Sequence, residues 1–463
     1  MFKGLWAALD DRTGVSRIVG PILRHPVPRG TGWWYVFGSA TLTAFIVAVV
    51  SGVPLATVYI PSPNDAYASI QFITHSAMFG NQVRGLHAYG AAAMVVMVGV
   101  HMARVYLFGS YKYPREVNWL LGVVLLFLTL GIAFTGQLLR WEQDAVWSVV
   151  VGAEQAGRAP FIGQWLAQLI LAGDTLGGAT LSRFFALHVF IIPGLLFVFI
   201  GFHLYMVLHT GISDPPKAGR PVDPATYRAW YKDLLKREGV PFWPDVIWRD
   251  IVFSVALVLV IVVVTLILGP SELGKRADPT IIKADPKPEW YFLWYFAVFA
   301  VIPPAFQDWV IVGAPLALAL LLFGLPFLSN KGERSPLRRP WAVGIVLLSV
   351  VMISTLLLKG LQEPWVPRTE ARPLPAKVVG ATSGPVYRGA LLFHSASCEA
   401  CHNIWGYGGQ RGPNLTNVGN RLTTALLTIR ILGGGTNMPA YGSILTPRQV
   451  NDLVAFLKTR KAP

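Results

Sequence analysis

Along the 463-residue chain, apolar positions gather into long runs separated by short polar stretches. A helix needs about 20 mostly apolar residues to cross about 30 Å of hydrocarbon. Seven runs reach that length, at about 33–58, 84–108, 117–138, 180–209, 248–269, 309–328 and 341–361. A chain in lipid must satisfy its own backbone hydrogen bonds, so each run is predicted to be an α-helix. The first run starts too late and is too long for a cleaved signal peptide, and reads as an uncleaved insertion signal. After the last run comes a proline-rich stretch, 362–385, with Pro364, Pro367, Pro373 and Pro375, predicted to be a semi-stiff spacer. Residues 386–463 have ordinary polarity. There Thr446-Pro447 reads as the N-cap and first-turn proline of a final helix through Leu457. A domain this small has little core of its own, so something must fill it.

Composition sharpens this picture. Hydrophobic residues make up 53% of the chain and charged residues 14%, with mean hydropathy +0.50. Soluble domains carry about a quarter charged residues, so disorder is excluded and an ordinary soluble enzyme is disfavoured. The net charge of +15 would suggest nucleic acid in a soluble protein. Mapped onto the loops, it reads differently. Seventeen Lys and Arg fall on one side: Lys3, Arg12, Arg17, Arg24, Arg29, Lys112, Arg115, Lys217, Arg220, Arg228, Lys232, Lys236, Arg237, Lys331, Arg334, Arg338 and Arg339. Six fall on the other: Arg140, Arg158, Lys275, Arg276, Lys283 and Lys287. The positive-inside rule places the N-terminus of this cell-membrane protein in the cytoplasm, and seven spans carry the C-terminal domain outside. The charge is topological, and no nucleic-acid partner is expected.

The cysteines are Cys398 and Cys401, with His402 next. Cys398-Glu399-Ala400-Cys401-His402 is the attachment sequence of a covalent c-type haem, with His402 as proximal iron ligand. A thioredoxin-like redox pair would not require the histidine and would prefer a βαβ setting. A high-potential carrier uses methionine as the second axial ligand. Met438, within Gly433-Gly434-Gly435-Thr436-Asn437-Met438-Pro439-Ala440-Tyr441, is the one methionine of the domain. His394 reads as a surface residue.

Ionisable groups inside spans are costly and are functional candidates. The second span holds His87 and His101, fourteen apart; the fourth holds His188 and His203, fifteen apart. Fourteen residues make about 21 Å and close to four turns, so His87 and His101 share one face at two depths. Fifteen over-rotate by about 60°, a mismatch that a kink at Pro193 could absorb. Both spans run from outside to inside, so His87 faces His188 and His101 faces His203. Each pair can clamp one non-covalent b-type haem. Gly38 and Gly52 in the first span, and Gly122 and Gly136 in the third, are also fourteen apart and would let flat macrocycles approach the backbone. Small-residue helix packing is the competing explanation. Arg84 and Arg183 near the outer pair, and Arg104 near the inner, suit haem propionates, with interfacial snorkelling the rival for Arg104.

This arrangement resembles cytochrome b of the bc and b6f complexes over about residues 10–361. The likeness rests on the histidine spacings, Arg84-Gly85-Leu86-His87, Tyr113-Pro114-Arg115-Glu116, Arg183-Phe184-Phe185-Ala186-Leu187-His188 and Pro288-Glu289-Trp290-Tyr291. The fifteen-residue spacing is similar to the b6 branch, and the last three spans to subunit IV. The C-terminal region resembles class I cytochrome c, in which Gly412-Pro413-Asn414-Leu415 supports the proximal histidine. The resemblance implies an all-α fold: a four-helix haem-binding bundle (1–210), three further membrane helices with the quinol-site loop (211–361), the spacer (362–385) and a small all-α cytochrome c domain (386–463). It implies oxidation of membrane quinol at the outer face, with Glu289 as proton acceptor and Tyr291 as its hydrogen-bonding support. One electron passes to a Rieske iron–sulfur protein and on to the haem c. The other crosses through the two b haems to a quinone, and the cycle translocates protons. A homodimeric complex and a downstream cytochrome c or terminal oxidase are implied as partners.

Three departures from the family stand out. The b6 cysteine that anchors an additional haem is matched by Val36, which excludes a covalent third membrane haem and leaves a non-covalent one open. Leu208, followed by His209, stands where b6 has an arginine. The family's Leu-Pro-Trp after the third span is here Leu139-Arg140-Trp141. The competing function is a passive haem-b anchor of a dehydrogenase, which needs the four histidines but neither Glu289's motif nor three further spans. A scaffold stabilised by its haems is a third reading, which methionine ligation of an exposed cytochrome c argues against.

Overall fold

The computed structural model describes residues 2–173, 176–277, 287–302, 304–362, 373–408, 412–434, 438, 440–442 and 444–461. Lys283, Pro364, Pro367, Gly435, Thr436, Asn437 and Pro439 lie outside these residues. Among the described residues the fold is all-α, apart from two short antiparallel strand pairings, Pro26–Pro28 with Gly239–Pro241 and Asn403–Ile404 with Tyr407–Gly408.

Among the described residues, seven helices are long and apolar enough to span a membrane: Phe37–Val58, Gly80–Leu107, Glu116–Leu138, Gly178–Thr210, Ile247–Leu268, Trp309–Leu328 and Pro340–Leu361. We number them spans 1 to 7. Span 1 packs along span 2 and span 3 along span 4, and span 5 covers spans 1 and 2. Most of their apolar surface faces outward, as a lipid-facing bundle requires. Between spans 3 and 4 the chain forms two further helices, Gln143–Gly157 and Gly163–Leu171. The aromatic stretch after Glu289, which the sequence suggested was loop, is the helix Trp290–Val301 packed against span 7.

Span 4 accommodates its fifteen-residue histidine spacing differently from the kink expected at Pro193. One π-helical turn, Leu187–Ile191, contains His188. A π turn adds one residue to the helical repeat, so fifteen residues bring His203 round to the face of His188. Pro193 follows in the first turn of the next helical segment, Ile192–Thr210. It has no N–H to donate to the carbonyl four residues back, which favours the wider turn just before it.

The connections segregate to two ends. At the lysine- and arginine-rich end, Lys112 donates to Ser329 O and Lys331 O at 2.8 and 2.7 Å, and Arg334 pairs with Asp214 at 2.5 Å. Burial pushes the Lys112 ammonium down to about 8. Asp214 and its neighbours hold the Arg334 guanidinium above the usual value despite the burial. At the opposite end Gln143 N–H donates to Lys275 O at 2.8 Å, and Arg276 donates to Asn64 O at 3.0 Å.

The C-terminal domain packs its first and last helices, Gly384–Ser395 and Pro447–Lys458, across each other at Gly389. There a Cβ would lie 2.1 Å from Asp452 O. Thr446 and Gln449 form a reciprocal capping box at the start of the final helix. Leu374, Val378 and Val379 belong to the core of this domain, and Arg460 donates to the Val379 carbonyl at 3.0 Å. The expected spacer 362–385 therefore ends earlier, since residues from 374 onward are packed.

Asp214 and Arg334 are both buried, so losing one orphans the other's charge. Asp214→Ala should destabilise the protein by about 3–5 kcal/mol. A thermal or denaturant unfolding comparison in detergent would show it; a loss below about 1 kcal/mol would contradict this account.

Candidate functional site

Inside the bundle, spans 2 and 4 bring the histidines into two stacked pairs. The His87 and His188 ring centroids are 6.0 Å apart with planes at 81°, and those of His101 and His203 are 6.4 Å apart at 75°. Two imidazoles on opposite sides of one metal, each at a nitrogen–metal distance of about 2 Å, have centroids about 6 Å apart. Both pairs fit an iron held between them.

Orientation of the outer pair comes from the backbone. His87 Nδ1 lies 2.8 Å from Ala48 O, and His188 Nδ1 lies 3.0 Å from Ile132 O. A carbonyl only accepts, so Nδ1 carries the proton in each ring and Nε2 keeps its lone pair for a metal. The glycines lie against the histidine rings. A Cβ on Gly52 would lie 2.9 Å from His87 Cε1, and on Gly136 2.5 Å from His188 Cε1. On Gly38 it would lie 3.1 Å from His101 Cε1, and on Gly122 3.7 Å from His203 Cε1. Gly52, Gly136 and Gly38 thus clear space for an imidazole, whereas a Cβ on Gly122 would make ordinary contact with the His203 ring. Gly52 and Gly136 each follow the accepting carbonyl by four residues, with Ser51 or Thr135 between, 3.4 Å from the same Nδ1. That shared local pattern, Ala48…Ser51-Gly52 and Ile132…Thr135-Gly136, was a readable signal of the acceptors.

The inner pair opens on a cavity of about 650 Å³ lined by Gly38, Arg104, Ser213 and Asp250 among others. Arg104 is buried, its guanidinium 3.6 Å above the Tyr35 ring, with Nε and Nη2 lacking hydrogen-bond partners among the described residues. Buried donors without acceptors fit a group that accepts hydrogen bonds, such as a propionate. Arg84 is buried and donates to Thr74 Oγ1 and Ser271 O at 3.1 and 2.8 Å. Arg183 is exposed and donates to Leu169 O at 2.5 Å.

Glu289 is the residue before the helix Trp290–Val301, and its side chain does not cap that helix. Its Oε1 is 2.8 Å from Arg140 Nη2, one turn beyond Gly136. Tyr291 stands edge-on to Trp290 and Phe292.

In the C-terminal domain, His402 Nδ1 lies 2.8 Å from Pro413 O, and a Cβ on Gly412 would lie 2.6 Å from the His402 ring. The same logic of carbonyl acceptor and glycine clearance recurs here, and burial holds the His402 imidazole below its usual value. Burial pushes the Cys398 thiol up to about 12. Met438 and Cys398 are partly buried against one core cluster. His394, expected at the surface, is partly exposed and sets its Nδ1 against the carboxylate of fully buried Glu399.

Comparison with known proteins agrees with this geometry. Residues 92–275 match the family described as cytochrome b(N-terminal)/b6/petB, and residues 276–374 match cytochrome b(C-terminal)/b6/petD. Residues 385–457 match cytochrome C oxidase, cbb3-type, subunit III. Cytochrome b6 of Heliobacterium mobile is 44% identical over 209 residues, covering 45% of this chain and 98% of that protein. Cytochrome b of Rhodobacter capsulatus is 31% identical over 314 residues, covering 67% of this chain and 69% of that one. The menaquinol:cytochrome c reductase cytochrome b subunit of Bacillus subtilis is 37% identical over 224 residues, 46% of this chain and all of that one. A solved hyperthermophilic respiratory Complex III chain aligns with TM-score 0.66 at 29% identity, covering 77% of this chain and 91% of that one. Paired imidazoles in a membrane bundle define a haem-carrying electron-transfer protein. The chain belongs to the cytochrome b/b6 family and carries a cytochrome c domain at its C-terminal end. Cytochrome b domains bind b-type haems, and the cytochrome c domain binds haem c.

Gly136→Ala puts a methyl group 2.5 Å from the His188 ring, well inside contact. It should displace His188 and lower acid-acetone-extractable haem by about half, leaving covalent haem unchanged. Haem assay before and after extraction checks this, and undiminished b haem would refute the clearance role.

Proposed function

We propose that this chain is the cytochrome b/c subunit of a quinol:cytochrome c oxidoreductase, oxidising membrane quinol on the outer side of a cell membrane. The observation carrying this reading is the position of Glu289. It is held by Arg140, one helical turn beyond the glycine that abuts His188. A quinol reaching Glu289 meets a proton acceptor on the same side of the bundle as the outer imidazole pair. A passive electron-carrying anchor would need the histidines but has no use for the carboxylate.

In this reading His87 and His188 hold one b haem, His101 and His203 a second, and Cys398, Cys401, His402 and Met438 the haem c. When bound, these groups supply one-electron transfer. Arg104 binds propionate at the inner site, with Arg84 and Arg183 assigned that task at the outer. Glu289 takes the hydroxyl proton of quinol by general base action, with Tyr291 as its supporting hydrogen-bond partner. Electrons divide between a separate Rieske iron–sulfur protein and the membrane carriers, with protons released outside and taken up inside. The lysine- and arginine-rich end faces the cytoplasm, so the cytochrome c domain is extracytoplasmic. Tethering that domain replaces diffusive encounter with a high effective concentration. The complex is a homodimer that passes electrons to a downstream cytochrome c or terminal oxidase.

Two imidazole pairs and one Cys398–Cys401 pair predict two extractable haems and one covalent haem per chain. Any other ratio refutes the assignment. Glu289→Gln should lower quinol-driven reduction of haem c by about 100-fold. Activity within twofold of the parent would remove Glu289 from the role of proton acceptor.

A further inference from the structure

Arg140 departs from the family's proline, and its surroundings give it a task. The chain turns sharply at Trp141, a buried residue at φ 49°. A non-glycine residue in that region stores strain, which persists where the surroundings impose it. Trp141 O accepts from Ala277 N–H at 3.1 Å and Gln143 N–H donates to Lys275 O at 2.8 Å, so the turn is pinned on both sides. It presents Arg140 and Glu142 together.

The Arg140 guanidinium lies between two carboxylates. Nη2 is 2.8 Å from Glu289 Oε1, and Nε is 2.9 Å from Glu142 Oε1. Both glutamates immediately precede a helix, Trp290–Val301 and Gln143–Gly157, and neither side chain caps its own helix. They are tethered unequally. Glu142 is buried and also accepts from Gly274 N–H at 2.8 Å through Oε2. The Glu289 side chain is 28% exposed. Arg84 of span 2, Glu272 of the loop after span 5 and Tyr291 stand around this group.

We propose that Arg140 is a positioning residue of the quinol site, a charge-operated latch on Glu289. This rests on the reading of Glu289 as proton acceptor. While Glu289 is ionised, the guanidinium holds its carboxylate inward with lone pairs left to meet a quinol hydroxyl. As the quinol O–H bond breaks and the Glu289 O–H bond forms, with the electron leaving to the iron–sulfur partner, the carboxyl becomes neutral. Its attraction to Arg140 falls, and the protonated side chain is free to turn toward water. Glu142 stays paired with Arg140 throughout, so releasing Glu289 does not strand a partly buried cation.

The test is a double-mutant cycle on the purified membrane complex. Benzoquinol and naphthoquinol analogues serve as donors and reduction of haem c is followed. Retained b-haem spectra in each variant show that the fold is intact. Arg140→Gln should lower kcat by about tenfold with KM within about twofold, the pattern of an interaction lost after binding. Arg140→Lys, which keeps a point charge, should recover most of that loss. In the Glu289→Gln background, Arg140→Gln should have no further effect, because the latch has nothing left to hold. An Arg140→Gln kcat within twofold of the parent overturns the latch. So does a further tenfold loss in the double variant, which would show Arg140 acting apart from Glu289. Glu289→Gln with full activity would instead overturn the underlying assignment of the proton acceptor.

Discussion

The membrane half depends on imidazoles that must stay neutral, fixed in orientation and open at Nε2 inside a low-dielectric bundle. A charged ring there would be very costly, and a neutral ring free to turn could not hold a metal reliably. For the outer pair, helix carbonyls resolve both problems. Each carbonyl oxygen has two lone pairs, so Ala48 O and Ile132 O can serve their own helices and still accept from an imidazole. The approach is close enough that a side chain four residues later would collide, which is why Gly52 and Gly136 stand there. His402 solves the same problem in the separate domain with Pro413 O and Gly412.

Around these rings the two sequence halves of the membrane region are joined by polar contacts at both ends rather than by apolar packing alone. Helix faces in lipid gain little hydrophobic energy by association, so hydrogen bonds between connections carry specificity. Lys112, Asp214 and Arg334 tie the second, fourth and sixth connections at one end. Arg140, Glu142 and Glu289 do so at the other, where the joint doubles as the chemical site. Positioning the proton acceptor is therefore part of how the halves are held together.

The sequence alone determined a great deal. Length and polarity of the runs located seven spans to within a few residues, because the hydrocarbon thickness sets the helix length and lipid forbids unpaired backbone. The pairing of His87 with His188 and His101 with His203 followed from helical periodicity and span direction. Cys398-Glu399-Ala400-Cys401-His402 and Pro288-Glu289-Trp290-Tyr291 announced themselves because their chemistry is local. The fifteen-residue spacing was visible, although its cause was misplaced: the extra residue is taken up at Leu187–Ile191 rather than at Pro193.

Only the tertiary structure decided what depends on distant partners. Nothing local to Arg140 says that it meets a glutamate 149 positions further along the chain. The backbone carbonyls that orient His87 and His188 are marked only indirectly, by the Ser51-Gly52 and Thr135-Gly136 pairs that follow them. Gly38, Gly52, Gly122 and Gly136 were conspicuous by spacing, yet whether they cleared room for a ring, a macrocycle or a neighbouring helix was a question of angstroms. His394 looked like an ordinary surface residue until the fold buried Glu399 beside it. Periodicity and local chemistry are written along the chain, whereas partnership between remote groups exists only once the helices have been laid against one another.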